Sequence, residues 1–224
     1  MHMNRIKNVM AVAVVAVAGL AFATASANAA LIGGVTATTS TEISACCGDR
    51  DPIDMVSKSG LVAGLHDVNP GNMWLSEGIG FGGIDQDPWA LFDLGDVYKI
   101  DRMHVWNYNE VGFFSTRGVN SVSVEYGETA ALGSTVAGII NFDQASGAAG
   151  DAGQDFNGFA PFVGRYVKFD INSNHGENNG FYGLSEVEFH GELFTGGNAV
   201  PEPATATLAL LGLGGLMTRR RRNA

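Results

Sequence analysis

The feature that most constrains this chain is a set of short stretches in which apolar and polar residues alternate. In WALFDLGDVYKI, Ala90, Phe92 and Leu94 fall on one face and Trp89, Leu91 and Asp93 on the other. NSVSVEY sets Val122, Val124 and Tyr126 against Ser121, Ser123 and Glu125, and RYVKFDIN sets Val167, Phe169 and Ile171 against Tyr166, Lys168 and Asp170. SEVEFHG turns Val187 and Phe189 inward. Side chains along a strand point to opposite faces in turn, so period two predicts strands with one buried and one wet face. Gly, Asn and Asp punctuate the runs, and the central region carries no run of helical spacing. Many short strands without helices must close over a shared core, and the predicted class is an all-β sandwich or jelly roll. Trp74 and Trp89 read as core residues.

The two ends are of a different kind. Arg5 and Lys7 precede an apolar stretch from Val9 to about Ala23, then small residues ending in Ala27, Asn28 and Ala29. Basic, apolar, then small is the layout of a secretory signal peptide, a helix over 1–29 cut after Ala29. An uncleaved membrane helix is the alternative. At the other end, Val200, Pro201, Glu202 and Pro203 lead into an apolar run from Ala204 to Met217, closed by Arg219 to Arg222. As a helix this run spans roughly 21 Å, short of a ~30 Å hydrocarbon core. Gly212, Gly214 and Gly215 weaken it further as a helix. The prolines keep the tetrapeptide extended and accessible, and the arginines favour the cytoplasmic side.

Between the ends lie a lead-in at 30–56, a main domain at 57–192 and a linker at 193–199. This segment holds 7 Lys and Arg against 22 Asp and Glu, a net of −15, more acidic than the −10 of the whole chain. So negative a surface repels phosphate backbones and argues against nucleic acid, while it offers oxygen ligands to a hard cation. The only cysteines, Cys46 and Cys47, are adjacent. Their Cα atoms stand ~3.8 Å apart, below the usual disulfide range, which leaves a strained vicinal bond, links to another chain, or free thiols. No G-x-S-x-G or comparable nucleophile motif is present. Glu186 and Glu188 share a strand face, where a solvated surface or a metal ligand outweighs a hydrolase pair. The chain is read as a non-enzyme.

Two resemblances sharpen this picture. The tail from Val200 to Arg222, with motif, apolar run and arginine cluster in order, resembles the PEP-CTERM sorting signal of Gram-negative bacteria. That resemblance implies an exosortase-type processing protease as partner, transient inner-membrane contact through a short hydrophobic C-terminal helix, and delivery to the cell surface or extracellular matrix. WALFDLGDVYKIDRMHVWNYN, HDVNPGNMW, GRYVKFDI and GLSEVEFHG together resemble discoidin-like domains, also called coagulation factor V/VIII type C domains. They imply a galactose-binding-like jelly roll over about Ser57 to Gly191. Val68 and Asn72 depart from that family's Asp-Gly-Asp-x-x-Thr-x-Trp loop. Its Ser-x-Asp-Gly-x-x-Trp hairpin is replaced by NFDQASGAAGDAGQDFNGF, read as a mobile loop.

Carbohydrate-binding members of the family imply a structural Ca²⁺ at the positions matched by Asp67, Asn72 and Glu186, with backbone carbonyls completing the shell. Turn capping by Asp67 and Asn72 is the simpler reading. Sugar recognition needs a flat apolar surface beside planar polar groups. WNYNEVGFFSTRG supplies Trp106, Asn107, Tyr108, Asn109, Glu110, Phe113, Phe114 and Arg117. NSNHGENNGFYG supplies Asn174, His175, Asn178, Asn179, Phe181 and Tyr182. The ligand set expected from these loops is Trp106, Asn107, Tyr108, Asn109, Arg117, His175 and Tyr182. Packing of Trp106 and Tyr108, strand capping by Asn107 and a salt bridge at Arg117 are the alternatives. The chain reads as a binding module for extracellular polysaccharide. A protein-binding surface or matrix component is the second reading, and a glycoside hydrolase the third.

Overall fold

The computed structural model describes residues 29–43, 49–132, 134–176 and 180–196. The signal segment, Cys46 and Cys47, Asn178 and Asn179, and the sorting tail lie outside the described residues. The strands are β1 (Ala30–Leu31), β2 (Thr36–Thr39), β3 (Leu61–Val62), β4 (Leu65–His66), β5 (Trp74–Leu75), β6 (Trp89–Asn107), β7 (Val119–Gly127), β8 (Ser134–Asn141), β9 (Gln154–Phe156), β10 (Phe162–Asn174) and β11 (Gly183–Leu193). The described helices are three short 3-10 turns, at Pro52–Val56, Pro70–Asn72 and Gly112–Arg117.

The strand β6 organises the sheet because it is long enough to serve both layers. Its first part, Trp89 to Asp93, pairs antiparallel with β2 and β10, and β10 continues outward to β7 and β8. Its second part pairs with β11 and, on the other side, with β9. Between the two parts the β10 register shifts, at Gly164 to Tyr166. Gly95 sits at that bend with φ +85, a conformation that costs an L side chain strain. The Asp93 carboxylate accepts the Gly95 N–H at 2.9 Å, which fixes the turn. The Asp-Leu-Gly of the sequence signature is thus the hinge that passes the strand from one layer to the other.

The predicted alternation holds in β6, β7 and β10, whereas β11 is buried on both faces, with Ser185 and Glu186 as enclosed as Val187 and Phe189. Ala90, Phe92, Leu94, Val122, Val124, Val167, Phe169, Val187 and Phe189 are all buried. Phe92 meets Phe169 and Phe189, each at 5.1 Å between centroids, so rings from β6, β10 and β11 interlock at the centre. Trp74 is fully buried, as expected. Trp89 is not core: it lies on the outer face of β6, half-exposed, because it shares the parity of Leu91 and Asp93 rather than that of Phe92.

Two other segments differ from the sequence reading. Residues 30–56, set apart as a lead-in, supply β1, β2 and the fully buried Met55 to the sandwich. The Gly/Ala-rich segment after β8, expected as a mobile loop, is tied down. The strand β9 pairs with Met103 to Val105, and Asp151 bridges to His66. Asp151 oxygens also accept the N–H groups of Ser146 and Gly153. Local side-chain to backbone bonds of this kind order a loop that has few apolar residues.

Candidate functional site

One end of the sandwich gathers the loops before β6, after β6 and before β11. The two loops flagged for their amides and rings meet there. The His175 N–H donates to the carbonyls of Thr116 and Gly118, each at 3.1 Å, and Gly118 bridges to Gly183. Between them opens a cavity of about 210 Å³ lined by Ile43, Arg50, Leu75, Phe81, Glu110, Phe114, Arg117 and Phe181.

Its polar floor is a chain of charge-assisted bonds. The Tyr108 hydroxyl donates to Glu110 Oε2 at 2.6 Å and accepts from Arg50 Nη1. Arg50 and Arg117 stand 3.6 and 3.5 Å from that same carboxylate oxygen. Burial pushes the Tyr108 hydroxyl well above the ordinary phenol range, so it stays a proton donor to Glu110 at any physiological pH. The Arg117 guanidinium carbon lies 4.5 Å from the centroids of both Phe114 and Phe181. Among the described residues, the buried Nε atoms of Arg50 and Arg117 have no hydrogen-bond partner. Such a pocket joins apolar ring edges to planar donors and one acceptor, the chemistry a sugar ring requires.

The expected ligand residues divide into three groups. Arg117 lines the cavity, and Tyr108 lies directly beneath it, fully buried. Asn107, Asn109 and Trp106 are buried and already bonded. Asn107 Nδ2 donates to the carbonyls of Val119 and Asp143, and its Oδ1 accepts the Tyr108 N–H. Asn109 Nδ2 donates to the carbonyls of Asp67 and Ala148, while its Oδ1 accepts the Gly147 N–H. The Trp106 indole donates to the Gly64 carbonyl and meets the His104 ring in a tilted contact, 4.0 Å between centroids. These three brace the rim from behind. His175 sits beside Asn107 at 3.5 Å, and burial lowers its pKa, favouring the neutral imidazole. Tyr182 is half-buried against the main core, and its hydroxyl is shifted up by burial and by Asp85.

Several lining residues were missed as site residues. Glu110, Phe114 and Phe181 lie in the two flagged loops. Arg50 and Phe81 come from segments the alternation leaves blank. The one signal for Arg50 is its scarcity, as one of four arginines between residues 30 and 199.

The residues matched to a cation site also converge, on the turn Lys58 to Gly60. The Lys58 N–H donates to Glu186 Oε2 at 2.8 Å, and the Ser59 hydroxyl donates to Asn72 Oδ1 at 2.9 Å. A Cβ on Gly60 would stand 2.8 Å from Asp67 Oδ1. Asp67 Oδ2 accepts from Asn72 Nδ2 at 2.8 Å, and Oδ1 accepts the Asn69 N–H, so Asp67 does cap its turn. Glu186 is 1% exposed, and burial pushes its pKa up to about 8. Among the described residues no three acidic, histidine or cysteine side chains gather into a metal cluster. The donor set fits a hard cation only with carbonyl and amide oxygens beside Asp67 and Glu186.

Comparisons with known proteins bear on the tail and on the fold of the domain. Residues 199–222 match the family model of the PEP-CTERM protein-sorting motif. No curated protein matches. Among solved structures, the chain is similar to CpGH89CBM32-5 from Clostridium perfringens, solved in complex with GalNAc-β-1,3-galactose. The TM-score is 0.53 at 13% identity, over 71% of this chain and 99% of that one. It is also similar to CBM32-3 from a family 31 glycoside hydrolase of the same organism, with TM-score 0.51 at 14% identity, over 70% and 91% of the two chains. At such identities the likeness shows the fold, a galactose-binding-like jelly roll of the CBM32 and discoidin-like type.

Proposed function

We propose that this chain, an exported protein in which a galactose-binding-like jelly roll precedes a PEP-CTERM sorting motif, is a non-catalytic binding module for extracellular polysaccharide, and that the loop-end cavity is its site. The observation that carries this reading is the buried Arg50–Tyr108–Glu110–Arg117 chain under Phe81, Phe114 and Phe181. Sugar hydroxyls would accept from the two guanidinium groups and donate to Glu110, and the ring edges would meet sugar C–H groups. Arg117 touches the ligand directly. Tyr108 positions the charged groups, Asn107, Asn109 and Trp106 hold the loops, and His175 and Tyr182 border them. The structures of similar fold are carbohydrate-binding modules by their own descriptions, which supports a sugar over a protein ligand. A glycan array of the full chain tests the reading. Saturable binding lost in Arg117→Gln is expected, and a blank array together with self-association of the protein would favour a structural matrix component instead.

Calcium belongs to the same proposal. Asp67, Asn72 and Glu186 with nearby carbonyls would hold it, and the charge it supplies would stabilise a carboxylate that burial otherwise disfavours. Added Ca²⁺ should raise the melting temperature, and Asp67→Ala should abolish the rise. The sorting motif supports processing by an exosortase-type protease and final residence at the cell surface or matrix as part of this reading. Mass spectrometry of the secreted protein, expected to show loss of the tail after the Val200–Pro203 region, tests that step.

A further inference from the structure

The outer face of the sheet carries a second hollow, away from the loop-end cavity. It is a groove of about 590 Å³ whose walls include Trp89 and Leu91 of β6, Lys168 of β10, Glu125 of β7, and Leu132 and Ser134. The register places Leu91, Lys168 and Glu125 in one row across three neighbouring strands, with Trp89 two residues along. Strands lie ~4.8 Å apart, so the floor is about 10 Å wide, room for about two sugar rings.

The wet face of an antiparallel sheet is ordinarily polar, and two large apolar side chains on it need a reason. Trp89 is the informative one. Of the three tryptophans, Trp74 and Trp106 are buried, and each indole N–H donates to a carbonyl, of Thr41 at 3.0 Å and of Gly64 at 3.1 Å. Trp89 is half-exposed, and among the described residues its indole N–H has no protein acceptor. An indole with one apolar face and one free donor is built for a ligand that is itself apolar on its faces and polar at its edges. The charge selects further. Lys168 Nζ is 3.1 Å from Asp170 and 3.7 Å from Glu125, so the ammonium is balanced and the groove keeps a net negative charge. A polyanion is repelled there. A protein partner is also disfavoured, because Trp89, Leu91 and Leu132 offer far less than the ~800 Å² per partner of a stable interface.

We propose that this groove is a second glycan-binding face, which takes a segment of neutral polysaccharide with a sugar ring stacked on Trp89 and hydroxyls on Lys168, Glu125 and Ser134. The inference rests on the polysaccharide reading above and adds to it a sheet-face site for chain interiors.

Because Trp89 is the one accessible indole, intrinsic fluorescence of the full chain reports on this face. Neutral glucan, galactan and mannan oligomers, with hexagalacturonate as charged control, would be titrated while emission and acrylamide quenching are followed. A saturable emission change and protection of Trp89 by a neutral oligomer is expected, retained in Arg117→Gln and at least about tenfold weaker in Lys168→Gln and Trp89→Ala by calorimetry. Calorimetric binding that disappears in Arg117→Gln while Trp89 emission never responds would overturn this inference and leave the loop-end site standing. No binding by either readout removes both. A response to hexagalacturonate alone, or Trp89 protection that grows with protein concentration without sugar, would also overturn it.

Discussion

At the scale of single residues, the loop-end site is set by close approaches that leave no slack. Gly183 opens β11 under the Tyr108 ring, and a Cβ there would stand 2.5 Å from the ring and 2.9 Å from the Trp74 carbonyl. Gly183→Ala therefore lifts Tyr108 off its seat and separates Glu110 from Arg50. Overpacking of this sort costs about 1–3 kcal/mol, and a lowered melting temperature together with weakened glycan binding is expected. Glu186 gives a pH signature. Its folded pKa of about 8 lies above the ordinary 4.5, so between these values the folded protein holds a proton the unfolded chain releases. Without calcium, stability should fall as pH rises through that window, with a slope of up to about 1.4 kcal/mol per pH unit. Saturating Ca²⁺ should flatten this slope, since a bound cation needs the carboxylate ionised. Thermal melts from pH 5 to 8, with Ca²⁺ or with EDTA, check both parts. Glu186 was legible in the sequence through its family position, whereas Arg50 was not, because its role depends on a fold that brings residue 50 to residue 108.

At the scale of elements, the sequence signal was strong where a strand has two unlike faces and weak elsewhere. The parity of β6, β7 and β10 was readable from alternation alone, whereas β11 is covered on both faces and its polar side was not wet. Trp89 was misplaced because size and apolarity were weighed above parity, and parity decides which way a strand side chain points. The segment from 142 to 156 was misread as mobile because its Gly/Ala content shows no periodicity. Its order comes from partners far away in sequence, above all Asn109, whose amide bonds three backbone groups across two loops. Asn109→Ala takes the acceptor from the Gly147 N–H and one of two partners from the carbonyls of Asp67 and Ala148, at a cost of about 1–3 kcal/mol. Hydrogen exchange should then accelerate in residues 146–154 more than in the β6–β10 pairs. Uniform acceleration across the sheet would show that Asn109 supports the whole fold rather than this loop.

At the scale of the whole molecule, the path of β11 sets the end of the domain apart from the loop-end cavity. Gly183 lies at the pocket end, and Leu193, followed by the linker to the sorting motif, lies at the other, about 35 Å away for a strand of this length. The strand class, the sorting tail and the two loops that meet at the site were legible in the sequence. The division of their residues into rim and brace was not, since an amide that binds sugar and an amide that binds a carbonyl look alike until the chain is folded. The most direct measurement of the central claim is amide chemical-shift mapping of the isotope-labelled protein titrated with a glycan that the array selects. Shifts concentrated at Glu110 to Gly118, Phe181 and the Arg50 side chain are the predicted result. A bound glycan that leaves those signals unmoved would contradict the assignment of the site.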